Sequence, residues 1–264
     1  MEWWVILIAC IGAASWIPHI IFFFYKLLSK PKLQFISDPI VEVGYSMFGP
    51  ILNPSFAIST SKKDALIERI KIEIVHQSGE KHEFIWKSLD EKGLEMRTPT
   101  GEMISEVRKY QPAIALKVGI LGLVEKKILF RDVTFQQKWP LLNSLVSEKM
   151  EFIKKTKPEA YPESVFETKE FLDFLDLRKT EFYWKEGKYE IKLYAYETSL
   201  KTPHVEHYSF NLTKANVELL EKNITIIQEY DRDSALFIGG KLKEFPTRYL
   251  NWVYPSIFKT KKQE

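Results

Sequence analysis

The sequence predicts an α+β chain that is mainly β: a single N-terminal transmembrane helix, an immunoglobulin-like β-sandwich, and a helical segment leading into a β-meander plus one more helix. Three observations predict it. Residues 3–25 form an apolar run without a formal charge. Between 33 and 135, short β-rich stretches are broken by Gly, Pro, Asn and Ser at roughly ten-residue spacing. From Trp139 the apolar spacing turns helical, and from 181 it alternates again. The expected partition is an outer tail at 1–2, the transmembrane helix at 3–25, a β-sandwich domain at 26–136, a helical connection at 137–180, and a meander plus helix at 181–264 that joins the same body.

The run opens on Trp3 and Trp4 and closes on Tyr25, and as a helix it is long enough for a ~30 Å hydrocarbon core. Lys26, Lys30 and Lys32 follow it with no acid before Asp38. That asymmetry predicts a single-pass membrane protein with its N-terminus outside and its C-terminal body in the cytoplasm. A cleaved signal peptide fits less well, because no Lys or Arg precedes the run and the run is too long. Leu7-Ile8-Ala9-Cys10 looks like a lipoprotein box, yet apolar rather than polar chain follows it. Pro18 removes a hydrogen bond to the Ala14 carbonyl and predicts a kink. Gly12, Ser15 and His19 share one stripe of the helix. Small residues let a second helix approach, and Ser and His can bond across the contact, so these three are the candidate membrane-helix contact.

Charge and cysteine content narrow the chemistry. The net charge of +3 gives no field for nucleic acid, and no nucleic-acid partner is expected. The single cysteine, Cys10, lies inside the apolar run, so the body has no disulfide, no cysteine nucleophile and no cysteine-based zinc site. Asn211-Leu-Thr213 and Asn223-Ile-Thr225 match the glycosylation sequon, but a cytoplasmic body would leave them unmodified.

Strands are expected at 33–37, 40–48, 52–60, 66–77, 80–88, 112–124 and 126–135. The clearest carries Ile70, Ile72 and Ile74 on one face. A three-residue loop closed by Gly79 would set Ile74 opposite His82, Ile72 opposite Phe84 and Ile70 opposite Trp86. Gly119 and Gly122 mark a bend within 112–124. Pro140 suits a first helical turn, so a helix is expected from about 140 to 153, and another at 164–178. Glu186-Gly187 reads as a tight hairpin turn between strands 181–185 and 188–197, with Trp184 facing Tyr189. A further strand at 204–212 precedes a helix capped by Thr213 and running to about Glu229.

Candidate functional residues are few. His76 and His82 flank the Gly79 turn on its inward side and form a candidate binding rim; the structural alternative is a pair of hairpin ends. His204 and His207 point to opposite faces of a strand and make no joint metal site. Asp173 and Asp176 fall on a solvated helical face, and Asp231-Arg232-Asp233 reads as a polar helix end. Gly239-Gly240-Lys241 lacks P-loop spacing. No catalytic residue, metal-ligand set or cofactor motif emerges. The aromatic tail, Tyr249, Trp252 and Tyr254, followed by Lys259, Lys261 and Lys262, is a candidate membrane-surface contact; the alternative is packing on the body. The expected function is a membrane-anchored, cytoplasmic β-rich binding or scaffold module for a protein partner, reached partly through the transmembrane helix. The alternatives are a membrane-anchored, hydrolase-like enzyme with a His/carboxylate site, and an accessory subunit of a transporter or channel.

Overall fold

The computed structural model describes residues 3–91, 95–97, 103–106 and 109–260, with side chains described outside 4–11, 13, 26–28 and 91–110. In chain order the main elements are α1 (Trp3–Leu28), β1 (Lys32–Ser46), β2 (Gly49–Ser61), β3 (Ala65–His76), β4 (Lys81–Glu91), β5 (Glu95–Arg97), β6 (Met103–Glu106), β7 (Lys109–Pro112), β8 (Leu116–Val118) and β9 (Leu123–Asp132). There follow α2 (Val133–Thr156), α3 (Lys169–Thr180), β10 (Gly187–Glu197), β11 (His204–Leu212), α4 (Lys214–Ile238), β12 (Trp252–Val253) and β13 (Ile257–Lys259).

Alternation decides which way each strand faces. In β3, Ile67, Ile70, Ile72 and Ile74 are fully buried while Glu68 and Arg69 are exposed. Gly79, at φ +90°, turns the chain into β4, where only glycine is at ease in the left-handed region. The Ile74–His82 and Ile72–Phe84 pairs form as the alternation predicts, but the ladder ends at Lys71–Ile85, before Ile70 and Trp86.

The strands build one antiparallel sheet in the order β12-β1-β2-β9-β4-β3-β10-β11-β13, with β7 on β4 and β8 on β3; β5 and β6 pair separately. The sheet curls into a half-barrel. Its two ends meet through the chain itself, because β12 pairs with β1 and β13 with β11. Ile40 also bridges Ser256, and the Val41 N–H donates to the Pro255 carbonyl. Inward side chains from every wall strand, among them Phe35, Leu52, Phe56, Ile72, Phe84, Phe130, Tyr189, Ile191, Tyr208 and Phe210, fill one core.

This corrects the expected immunoglobulin-like sandwich. A sandwich core lies between two sheets, whereas β10 here runs along β3 from Tyr189–His76 to Glu197–Ile67 and widens the same sheet. Bulges between Ser37 and Val41, Trp86 and Ser88, and Tyr196 and Glu197 add the bend that lets one sheet wrap its own core. The expected strand 181–185 does not form. Trp184 instead enters the core, against the rings of Phe84, Tyr189 and Phe210, and its Nε1 donates to the Gly44 carbonyl at 3.0 Å.

The helices also differ from expectation in their bounds. α2 starts at Val133 because Asp132 caps it, its Oδ1 accepting the Phe135 N–H at 2.7 Å, so Pro140 lies inside the helix. α3 starts only after Thr168, and α4 continues to Ile238. α2 and α3 share a second apolar core of Val146, Ile153, Tyr161, Val165, Phe171, Phe174 and Leu175.

The single-pass membrane reading is corrected as well. Trp3–Leu28 is one helix, but among the described residues no helix is long and apolar enough to cross a membrane. The transmembrane architecture, and the outside-to-cytoplasm localisation built on it, are therefore not supported. The side chains of Cys10 and Lys26 lie outside the described residues.

Arg178 ties the helical layer to the barrel. It is only 1% exposed. Its Nε donates to Asp231 Oδ2 of α4 at 3.1 Å, and its Nη1 to the Met47 carbonyl of the β1–β2 turn at 2.5 Å. Its Cζ lies 5.0 Å from the Phe174 ring centroid and 5.6 Å from that of Phe135. Arg178→Met should cost about 3–5 kcal/mol in urea unfolding, because it strands a buried Asp231 carboxylate. Adding Asp231→Asn should recover part of that loss. A single-variant cost below about 1 kcal/mol would show that the tie carries no structural weight.

A candidate binding cleft on the outer face of the barrel

Residues that alternate away from the core build a cleft on the outside of β1, β2, β9 and β4. Its floor carries Glu42, Asn53, Ser88, Asp90, Lys127 and Arg131, and its volume is about 580 Å³, within the ~300–1,000 Å³ range of small-ligand sites. Strand register brings these residues together: Glu42 pairs with Asn53, Asp90 with Lys127, and Ile51 with Arg131.

The floor is hydrogen-bonded before any ligand arrives. Glu42 accepts from Asn53 Nδ2 through Oε1 and from Lys127 Nζ through Oε2, both at 2.7 Å. Asn53 Oδ1 accepts the Phe130 N–H at 3.2 Å. Two acids and two bases leave the floor formally neutral.

The walls are aromatic. Gly44 and Trp252 are direct cross-strand partners, and the indole lies on the space that a Gly44 side chain would fill. Only glycine at 44 lets this ring lie flat on the strand. Tyr254 and Leu250 also line the cleft, as does Phe48, with the Arg131 guanidinium 4.3 Å from its centroid. Gly49, at φ +83°, closes the turn behind Phe48, with the Phe135 ring packed where a side chain would stand.

Of the residues singled out in the sequence, Trp252 and Tyr254 fall in this cleft. Tyr249 is 88% exposed, and Lys259 pairs with Glu206 at 2.7 Å. Lys261 and Lys262 lie outside the described residues. In α1, the Ser15 hydroxyl donates to the Gly12 carbonyl at 2.7 Å, while His19 meets the Trp16 ring edge-on at 6.2 Å. Thus Gly12 and Ser15 are linked locally and His19 has a different neighbour.

The hairpin histidines are engaged separately. His76 is buried, hydrogen-bonded through Nδ1 to Ser78 Oγ at 2.8 Å and through Nε2 to the Glu186 carbonyl at 3.1 Å. His82 hydrogen-bonds Glu80 at 3.2 Å, and its ring stacks on Tyr183 with centroids 3.3 Å apart. The Tyr183 hydroxyl donates to Asp132 Oδ2 at 3.0 Å. Burial raises the Asp132 carboxyl pKa, against the pull of its hydrogen bonds from Phe135 and Tyr183. Burial lowers the His82 pKa, against the pull of Glu80, Asp132 and Glu181. These groups brace the start of α2, and one face of the imidazole is covered by Tyr183. The sequon at Asn223 is buried, its Nδ2 donating to the carbonyls of Tyr45 and Asn251, while Asn211 is exposed. Among the described residues, no group of three or more His, Cys, Asp or Glu side chains is placed to hold a metal ion.

The fold and site together define a curled β-sheet body with an aromatic-walled cleft on its outer face. No family model matches the chain, and neither a curated protein nor a solved structure does.

The His82 environment sets a pH dependence. A histidine whose folded pKa is lowered adds stability above its unfolded value of about 6.5, and that stability is lost as pH falls through the folded pKa. Urea midpoints should therefore drop on acidification below about pH 6.5, and less steeply in His82→Gln. Equal slopes in the two proteins would remove His82 as the cause.

Proposed function

We propose that the chain is a binding module whose outer cleft takes a short peptide segment of a protein partner. The observation that supports this reading is the cleft itself: a neutral, pre-paired polar floor lined with the aromatic rings of Trp252, Tyr254 and Phe48. A peptide offers the matching chemistry. Its backbone amides supply neutral donors and acceptors to the floor, and one apolar side chain packs against the rings. The barrel interior is occupied by its own side chains, which leaves recognition to the outside. The Glu42–Lys127 pair fixes the floor in advance, so ordering it adds little cost on binding.

The experiment is selection from a random peptide library on the immobilised full chain, followed by affinity measurement of the enriched sequences. Enriched peptides should share an apolar anchor. Trp252→Ala should weaken them by about tenfold or more, with Lys127→Met a smaller loss, while the circular dichroism of both variants matches the parent at the assay temperature. No enrichment, or binders indifferent to Trp252→Ala, would overturn the reading.

A further inference from the structure

The turn between β8 and β9 carries a feature that neither the core nor the cleft uses. Gly119-Ile120-Leu121-Gly122 is closed by a Gly122 N–H to Gly119 carbonyl bond of 2.9 Å. Leu121 sits at φ +63°, in a left-handed conformation that a leucine rarely adopts, and its side chain is 98% exposed. Ile120 and Leu123 of the same turn and strand, and Leu66 at the neighbouring start of β3, are also exposed. A leucine held in strained backbone and presented fully to water is an outlier from which a functional role can be inferred.

The tip is rimmed by lysines. Ile120 bridges Thr60, and its N–H donates to Asp64 Oδ1 at 2.7 Å, which sets the turn against the neighbouring β2–β3 turn with Lys62 and Lys63. Lys117 pairs with Leu66 across strands, and Lys32 pairs with Ser61. Lys32, Lys62, Lys63 and Lys117 are all exposed at this one end of the barrel. The acids beside the turn itself are Asp64, 4.0 Å from Lys117, and Glu125, so four lysines face two acids there; Glu68 and Glu197 lie farther along β3 and β10, beside Leu66.

We propose that this turn docks on an anionic lipid surface, with Ile120 and Leu121 entering the headgroup layer and the lysine rim facing the lipid charge. The contact belongs to a loop tip and needs no helix that crosses a bilayer. Charge complementarity selects the occupant, and shape supports it. A protein partner would need a pocket cut for a single projecting leucine, whereas a headgroup layer accepts a narrow tip and rewards a ring of cations.

The test uses the full chain with Cys10→Ser and an environment-sensitive fluorophore on Leu121→Cys. A second protein carries the label on Leu141→Cys, an exposed position on α2. Phosphatidylserine–phosphatidylcholine vesicles should raise and blue-shift emission at 121 but not at 141, and high salt should reverse it. In the unlabelled chain, Lys62→Glu with Lys63→Glu should weaken vesicle binding by about tenfold, and Leu121→Asp should weaken it further. Equal responses at both labels, equal responses to pure phosphatidylcholine, or no response to any vesicle would overturn the proposal. The last outcome would leave the tip to a protein partner.

Discussion

The buried guanidinium of Arg178 is the constraint on which the arrangement of layers depends. Taking that charge out of water costs several kcal/mol, so it persists only where every direction supplies a partner. The partners come from four separate places: Asp231 on α4, the Met47 carbonyl in the β1–β2 turn, and the rings of Phe174 on α3 and Phe135 on α2. The Tyr45 hydroxyl adds a fifth tie, donating to the Arg178 carbonyl at 2.7 Å. Burial raises the Asp231 carboxyl pKa even though Arg178 pulls it down. The pair therefore adds less net stability than its geometry suggests. What it supplies is uniqueness: a one-turn shift of α3 against α4 would leave a buried charge unmatched.

Asn223 repeats this logic without charge. It is fully buried in α4 and satisfied on both sides of its amide, donating to the Tyr45 and Asn251 carbonyls and accepting from the Asn251 N–H. It thereby pins the chain that leads into β12. Trp252 then falls opposite Gly44, and the cleft acquires its wall. The polar contacts under the helical layer are thus the positioning machinery of the outer face.

Local pattern was legible in the sequence, and closure was not. The β3–β4 hairpin could be read because alternation and Gly79 lie within one short window. The sandwich was the wrong architecture because alternation is identical in a two-layer core and in one curled sheet. What separates them is the pairing of β10 with β3 across a long stretch of chain, together with bulges that leave no strong residue signature. Helix bounds failed where one residue served two roles. Asp132 ends β9 and caps α2, so the apolar Phe130 and Phe135 on either side looked like one continuing strand. Asp231 and Asp233 looked like a solvated helix end, but α4 continues and they pair with Arg178 and Arg248. For α1, an apolar run is a statement about composition, and among the described residues no helix is both long and apolar enough to cross a membrane.

The cleft was legible only in its aromatic wall. Trp252 and Tyr254 stood out as rings in a polar tail, but Glu42, Asn53, Lys127 and Arg131 are ordinary outward residues on three strands, and only the β1-β2-β9 register assembles them. A polar Asn53 beside buried Leu52 and Phe56 was the one available signal, since a buried amide needs partners and Glu42 and Phe130 provide them. The same alternation accounts for why the site lies outside. A sheet of this width encloses a space that its own side chains can fill, and here aromatic rings fill it, from the Phe35–Phe56 edge contact to the Tyr189–Phe210 stack. Outward positions do not fill the central core, so charge and hydrogen-bonding groups can gather there at little cost to it. Gly44 converts that freedom into a site, because removing one side chain from the outer face is what lets an indole lie down and turn a flat strand surface into a wall.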